Sequence, residues 1–429
     1  MPSLRAAIEI KAEGMQVTLQ PGTVEIGGHT ATVSKKTTQA VGAPQLVQIA
    51  NEALKLSTDK PVGYAKGTRL RGCNAKDVNA RGSFVPGSLQ LRMTQNGGDL
   101  LKEGEDYLID PDWGLLGLGP KSRVTANDTV FASYQVSLLR VDTLQVSADG
   151  VATLKEGAPH ISAPVPPEAD PGCMAIAHLF VDYGAKKIPQ DHVYPVLETS
   201  AQAVTASTSG HLAKTLAKLK AGQAVTIVCL GDSVTAGGNA SKPELRYVDV
   251  FAAGLREQFP QAKIDVQNIS AGGSNSRQWL SPDKFPYRGL HGVENPARFD
   301  RVVEAKPDLV TIEFVNDAGL NAAQVEESYG EILKRLAPVG SEVLLITPHF
   351  TMWKMMGFTE MRGSEHRPYV IALREFAARH ELALADASAR WEHLWKEGLP
   401  YLTLLHNTIN HPDDRGHRLF AEEMWKCFK

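Results

Sequence analysis

Cysteine is scarce in this chain, and Cys73, Cys173, Cys229 and Cys427 form no CxxC pair and no zinc-ligand spacing, which argues against a redox dithiol or a cysteine-zinc centre. Cys229 lies in the apolar run 225–230, where a buried free thiol is expected. An excess of either charge is also missing: 45 Lys and Arg face 48 Asp and Glu, for a formal net charge of −3. That balance provides no polybasic field for phosphate backbones or anionic membranes, so no nucleic-acid partner is expected. No apolar run approaches a membrane span, and no signal-peptide core follows Met1, so neither an anchor nor a leader is visible. HExxH, the P-loop, a GxGxxG after a strand and the EF-hand loop are all absent, and the expectation is no metal and no cofactor.

With 43% hydrophobic and 22% charged residues over 429 positions, the chain has the composition of a globular protein too long for one core. At least two domains are expected. Up to residue 196 the alternations speak for β-structure: Val130, Ala132, Tyr134, Val136 and Leu138 share one face of a period-2 run, and Asn96-Gly97 and Asp149-Gly150 read as hairpin turns. No helix of useful length is indicated before His211. This region, residues 1–200, is expected to be a β-rich sandwich or barrel, with a division near the proline-rich stretch 159–171. Residues 201–210, rich in Ala, Ser and Thr, make the natural boundary.

From residue 208 to 429 the pattern changes to alternating strand and helix. Apolar runs at 225–230, 309–314, 343–347 and 382–385, and a strand opening with Ile264 and Val266, are separated by helical spacings such as Val248, Phe251, Ala252 and Leu255. Strands buried on both faces imply an α/β fold, a parallel sheet between two helical layers, whose ligands collect at the carboxyl ends of the strands.

Four segments at such ends carry chemistry. Ser233 follows the first strand in Gly231-Asp232-Ser233, either as an aimed hydroxyl or as a helix N-cap. Gly273 follows the second, where a bare backbone N–H can approach a ligand, or where a turn needs a glycine. Asn316 follows the third, as an amide donor or an Asx turn. His411 precedes Pro412 before the last helix and is the candidate base, with His417 as a packing residue and His406 as a rim residue. A hydroxyl, an imidazole and three hydrogen-bond donors are what acyl transfer through a tetrahedral oxyanion requires.

On these four ordered segments the C-terminal half resembles the SGNH hydrolases of the GDSL family. The resemblance implies a three-layer α/β/α, flavodoxin-like sandwich and a serine esterase, with Ser233 as nucleophile, His411 as base, and the Ser233 and Gly273 N–H groups with the Asn316 amide as oxyanion hole. Two positions depart from the family pattern. Phe314 stands where the third block has a glycine, which would narrow the pocket near Asn316. Thr408 stands where the family has the acid three residues before the histidine. Alternatives for orienting His411 are a backbone carbonyl or Thr408, Asn407, or Asp413 or Asp414 folding back; a Ser-His dyad with a neutral acceptor and both aspartates solvated is the favoured reading.

Two long connections, 277–298 and 349–367, are rich in large side chains, and Trp279, His349 and Trp353 are expected at a substrate rim, with Phe285, Tyr287 and His291 nearby. The resemblance allows carbohydrate O-acetyl esterase, lipase and thioesterase activities, and the β-rich partner domain favours short acyl esters on carbohydrate. In the N-terminal half, residues 101–110, Trp113-Gly114, Arg140-Val141-Asp142 and Asp149-Gly150 look similar to β-modules of phage tail and surface-adhesion proteins. That implies an extracellular or surface-associated attachment domain, and keeps open a glycan-binding protein without catalysis. An oligomer would fit either reading.

Overall fold

Alternation of strand and helix after residue 208 builds one five-stranded parallel sheet. Its strands are β1 (Ala224–Gly231), β2 (Lys263–Ser270), β3 (Leu309–Glu313), β4 (Glu342–Ile346) and β5 (Ala383–Ala385), in the spatial order β2-β1-β3-β4-β5. The structure is a computed structural model that describes residues 8–26, 28–95, 97–198, 208–287 and 296–429. The chain forms two compact units, Met1–Ser200 with Trp395–Thr408, and Ala201–Leu394 with Ile409–Lys429.

In the second unit β1 shows why both sheet faces are covered. Val225, Ile227 and Cys229 point to one side, packing with the helices α1 (Ala213–Lys220), α2 (Tyr247–Gln258) and α5 (Asp414–Lys426). Val228 and Leu230 point to the other, with α3 (Ala322–Leu336) and α4 (Pro368–Arg379). Successive strand residues face opposite sides, so a run apolar at every position needs two helical layers to cover it. The result is the expected three-layer α/β/α sandwich of flavodoxin-like strand order. Order reverses between β1 and β3, the switch point at which ligands collect in such sheets.

The first unit is built from antiparallel sheets. Residues 46–54, 90–94, 97–100 and 130–137 form one four-stranded sheet, and 140–147, 152–155, 173–181 and 193–195 another. Val130, Ala132, Tyr134 and Val136 are buried on the face that the alternation predicts. Two apolar cores result, one from residues 54–136 and one joining residues 8–41 to 144–196. The proline-rich stretch is tied back to its neighbouring strands: Thr143 Oγ1 donates to the Pro167 carbonyl at 2.6 Å and Lys155 Nζ to the Glu168 carbonyl at 2.9 Å. Residues 395–408 add to this unit through Leu197 N–H donating to the Lys396 carbonyl at 2.7 Å and His178 Nδ1 to the Gly398 carbonyl at 2.8 Å. The only described helical turns before residue 208 are Arg71–Cys73 and Gln190–His192. No described helix is long and apolar enough to cross a membrane.

Candidate active site

Ser233 lies two residues past the end of β1. A Cβ on Gly231 would come within 1.9 Å of Thr235 Oγ1 and 2.4 Å of the Glu313 carbonyl oxygen, so the chain can fold back here only because that residue is glycine. It does not enter a helix. Ala236 N–H donates to the Asp232 carbonyl at 2.9 Å, Gly237 N–H to Val234 at 3.0 Å and Gly238 N–H to Ser233 at 2.8 Å, a run of turns with α2 beginning only at Tyr247. Ser233 is therefore not an N-cap, and its Oγ lies 2.9 Å from His411 Nε2.

The residues before His411 are held from the side of β4. His349 is fully buried, and its Nε2 donates to the Asn410 carbonyl at 2.7 Å, while Met352 N–H donates to the Ile409 carbonyl at 2.6 Å. Trp391 and Phe420 meet the His349 ring edge-on, at centroid distances of 4.9 and 5.4 Å. Gly238 lies against the His411 ring, since a Cβ on it would stand 3.1 Å from both Cγ and Nδ1 of His411. The Gly238 carbonyl accepts from His417 Nε2 at 3.2 Å, and His417 Nδ1 accepts the Tyr247 N–H at 3.3 Å. Burial pushes His417 down to about 4 and His349 well below the ordinary histidine range, so both braces are neutral near pH 7.

Asp232 links the β1 and β3 ends. Its Oδ1 accepts Val234 N–H at 3.0 Å, and its Oδ2 accepts the Asn316 N–H at 3.0 Å and Asn316 Nδ2 at 2.9 Å. One hydrogen of Nδ2 is thus used and the amide plane is fixed, with the second hydrogen left for a ligand. Gly273 has φ +77° and open space where a Cβ would be, and a Cβ on Gly272 would lie 3.8 Å from Ser233 Cβ, so this loop runs beside the serine. Among the described residues neither Ser233 N–H nor Gly273 N–H has an acceptor. Gly273 and Asn316 are exposed and Ser233 half-buried, leaving these donors open to a ligand.

Beneath this surface are three buried carboxyl groups that the sequence reading did not single out. Burial raises Asp232 to about 7, against the pull of the Val234 and Asn316 N–H groups and His411. Burial likewise raises Asp317 to about 6, although it accepts Ser276 N–H at 3.1 Å, Ser276 Oγ at 3.0 Å and Tyr329 Oη at 2.9 Å. Glu313 is raised well above the ordinary carboxyl range by burial first and by Asp232 next; its Oε2 accepts only Thr235 Oγ1, at 3.3 Å, and its Oε1 has no partner among the described residues. An acid closing an apolar strand, Leu-Val-Thr-Ile-Glu, was the available signal.

Several expected positions fall elsewhere. Asp413 is not solvated: it caps α5 by accepting Gly416 N–H at 3.0 Å and pairs with Arg415 at 2.7 Å. Asp414 accepts Ser241 N–H and Oγ, both at 2.7 Å. His406, Asn407 and Thr408 belong to the segment grouped with the first unit; Asn407 is buried, and Thr408 has the left-handed φ of +61°. Trp279 and His349 do not form a rim, being 1% and 0% exposed; Trp279 Nε1 donates to Ser274 Oγ at 2.8 Å, and the apolar surface of both rings is spent in the core. Trp353 is half-buried under Lys354, and Phe285 half-buried under Arg277 and Lys284. His291 lies outside the described residues. Phe314 packs into the core at 1% exposure and does not narrow the space at Asn316. Asn268 is exposed because β2 is an edge strand, and its Nδ2 donates to the Thr235 carbonyl at 2.7 Å. Among the described residues no group of three or more His, Cys, Asp or Glu could hold a metal ion.

Residues 229–419 match the model of the GDSL-like Lipase/Acylhydrolase family. Among solved structures, the chain is similar to a two-domain esterase active on acetylated mannans, with 22% identity and a TM-score of 0.41, over 52% of this chain and 54% of that one. The chain thus spans about half the length of that structure. It is also similar to an acetyl xylan esterase, at 20% identity and a TM-score of 0.36, over 47% of this chain and 98% of that one. A catalytic mutant of an acetylxylan esterase from Geobacillus stearothermophilus is similar at 17% identity and a TM-score of 0.36, over 48% and 94%. No curated protein matches the chain.

Proposed function

We propose that the protein is a serine esterase that removes short acyl groups, chiefly O-acetyl groups on carbohydrate, a reading supported by the match of residues 229–419 to the GDSL-like lipase/acylhydrolase model. The observation that carries the reading is the 2.9 Å contact between Ser233 Oγ and His411 Nε2. In this reading His411 Nε2 takes the Ser233 proton as Oγ attacks the ester carbonyl. The carbonyl oxygen becomes an oxyanion held by Ser233 N–H, Gly273 N–H and the second hydrogen of Asn316 Nδ2. His411 then protonates the leaving alcohol, and water, activated by the same imidazole, cleaves the acyl-serine. Since Asp413 and Asp414 are engaged by Arg415, Gly416 and Ser241, His411 works in this reading as the base of a Ser-His dyad oriented by a neutral acceptor.

A short acyl group is favoured by what the loop after β4 does with its apolar side chains. Phe350, Met356, Phe358 and Met361 are buried, with Phe350 and Phe358 in contact at 5.3 Å, so they fill the loop's own interior instead of walling an acyl channel. Acetate release from an acetylated oligosaccharide panel, by wild type beside Ser233→Ala, tests the reading. It expects release by wild type alone; hydrolysis of long-chain esters only would contradict the acyl assignment, and equal release by Ser233→Ala the mechanism.

A further inference from the structure

Tyr287 Oη donates to the Gly272 carbonyl oxygen at 2.5 Å. That carbonyl belongs to the same peptide unit as the Gly273 N–H. In a trans peptide the C=O and N–H point in opposite directions, so a clamp on one end aims the other. The two residues flanking this bond are glycines, the most freely rotating pair a chain can have, and Gly273 is in the left-handed region at φ +77°. Nothing in their own side chains fixes the peptide plane. We propose that Tyr287 is a positioning residue of the oxyanion hole: by holding the Gly272 carbonyl it sets and polarises the Gly273 N–H that receives the developing charge. The inference rests on the serine esterase reading above.

Three further observations bear on it. Gly272 borders the serine, since a Cβ there would lie 3.8 Å from Ser233 Cβ, so a tilt of this peptide changes the donor beside the reacting oxygen. Tyr287 is half-buried, and burial raises its phenol above the ordinary value, so the hydroxyl remains a donor across the working range of an esterase. A hydrogen bond accepted by a carbonyl also strengthens the N–H of the same amide as a donor. The Asn316 amide is fixed in the analogous way by Asp232, so each of these two donors has its own clamp.

The test is Tyr287→Phe in the full chain, which deletes only the hydroxyl. Steady-state hydrolysis of p-nitrophenyl acetate is expected to lose about tenfold in kcat with KM unchanged, less than the loss on removing an oxyanion donor outright. A second readout does not depend on activity. Glycine labelled with 13C at the carbonyl and 15N reports only Gly–Gly peptides, which in this chain are 27–28, 97–98, 237–238 and 272–273. The Gly272 carbonyl, assigned through its loss in Gly273→Ala, is expected to move upfield while the other three stay. An unchanged kcat, an unmoved carbonyl, or a loss expressed equally in KM overturns the positioning role. If wild type is active and Tyr287→Phe matches it, only Tyr287 is retired; if wild type hydrolyses no ester, the esterase reading falls and the clamp with it.

Discussion

Asp232 accepts both the backbone N–H and the side-chain Nδ2 of Asn316, at 3.0 and 2.9 Å, so one buried carboxylate fixes the residue from two directions. Asp232→Asn keeps the shape but puts an NH2 group where one of these acceptor oxygens was. Ester hydrolysis is expected to fall by at least about tenfold, the scale of one unsatisfied buried group, with circular dichroism unchanged. Burial raises Asp232 to about 7, and only its ionised form accepts all three N–H groups. Wild-type kcat is therefore expected to fall as pH drops through that value, while any residual activity of Asp232→Asn lacks this component. Steady-state rates against pH decide it.

Gly238 is the floor on which the His411 ring rests. A methyl group at this position meets the ring at 3.1 Å and the Ser233 carbonyl oxygen at 3.0 Å, tight enough that one of them must move. Gly238→Ala is expected to lower kcat by roughly ten- to a hundredfold, as small misplacements at reacting groups do, with little change in thermal stability. Equal kcat would show that the ring position is set elsewhere.

Glu313 gives a prediction about stability rather than rate. Its folded pKa lies well above its unfolded value, so the native state keeps a proton that the unfolded chain releases. Stability from this group is present at low pH and is lost as pH rises, by up to about 1.4 kcal/mol per pH unit while Glu313 stays protonated. The buried His349 and His417, neutral in the fold but titrating near 6.5 when unfolded, add a slope of the opposite sign that fades above pH about 7.5 and is the same in wild type and Glu313→Gln. The urea midpoint is expected to fall from pH 7.5 to 8.5 in wild type, and the slope to flatten in Glu313→Gln. A parallel slope in both proteins contradicts the assignment.

The parallel sheet was legible chiefly through β1, β3 and β4, which are apolar at nearly every position, a pattern that burial on two faces requires, and β1 extends only one residue beyond each end of the run 225–230. The positions of Ser233, Gly273 and Asn316 after strands, and of His411 before the last helix, could be read from the apolar runs and helical spacing that flank them. Side-chain direction was not. Trp279, His349 and Phe314 are large groups in a five-residue helix, a loop and a strand end, and nothing in their spacing tells a rim from a core. Asp232 was named only as part of Gly231-Asp232-Ser233 and Tyr287 only as a residue near the rim, since each acts through a neighbour, and a contact between Tyr287 and Gly272 leaves no periodic trace. The inclusion of Trp395–Thr408 with the first unit is equally silent in sequence, because it rests on pairings such as Val196 with Glu397, far apart along the chain.

The central claim is that Ser233 is an activated nucleophile beside a working oxyanion hole. A fluorophosphonate tests it most directly, because the reagent needs the same hydroxyl, base and donors as an ester. Intact-mass and peptide analysis are expected to show one adduct, on Ser233, forming in step with loss of hydrolysis and absent from Ser233→Ala and His411→Ala. No adduct on wild type that still hydrolyses acetyl esters, or hydrolysis persisting in Ser233→Ala, would contradict the account.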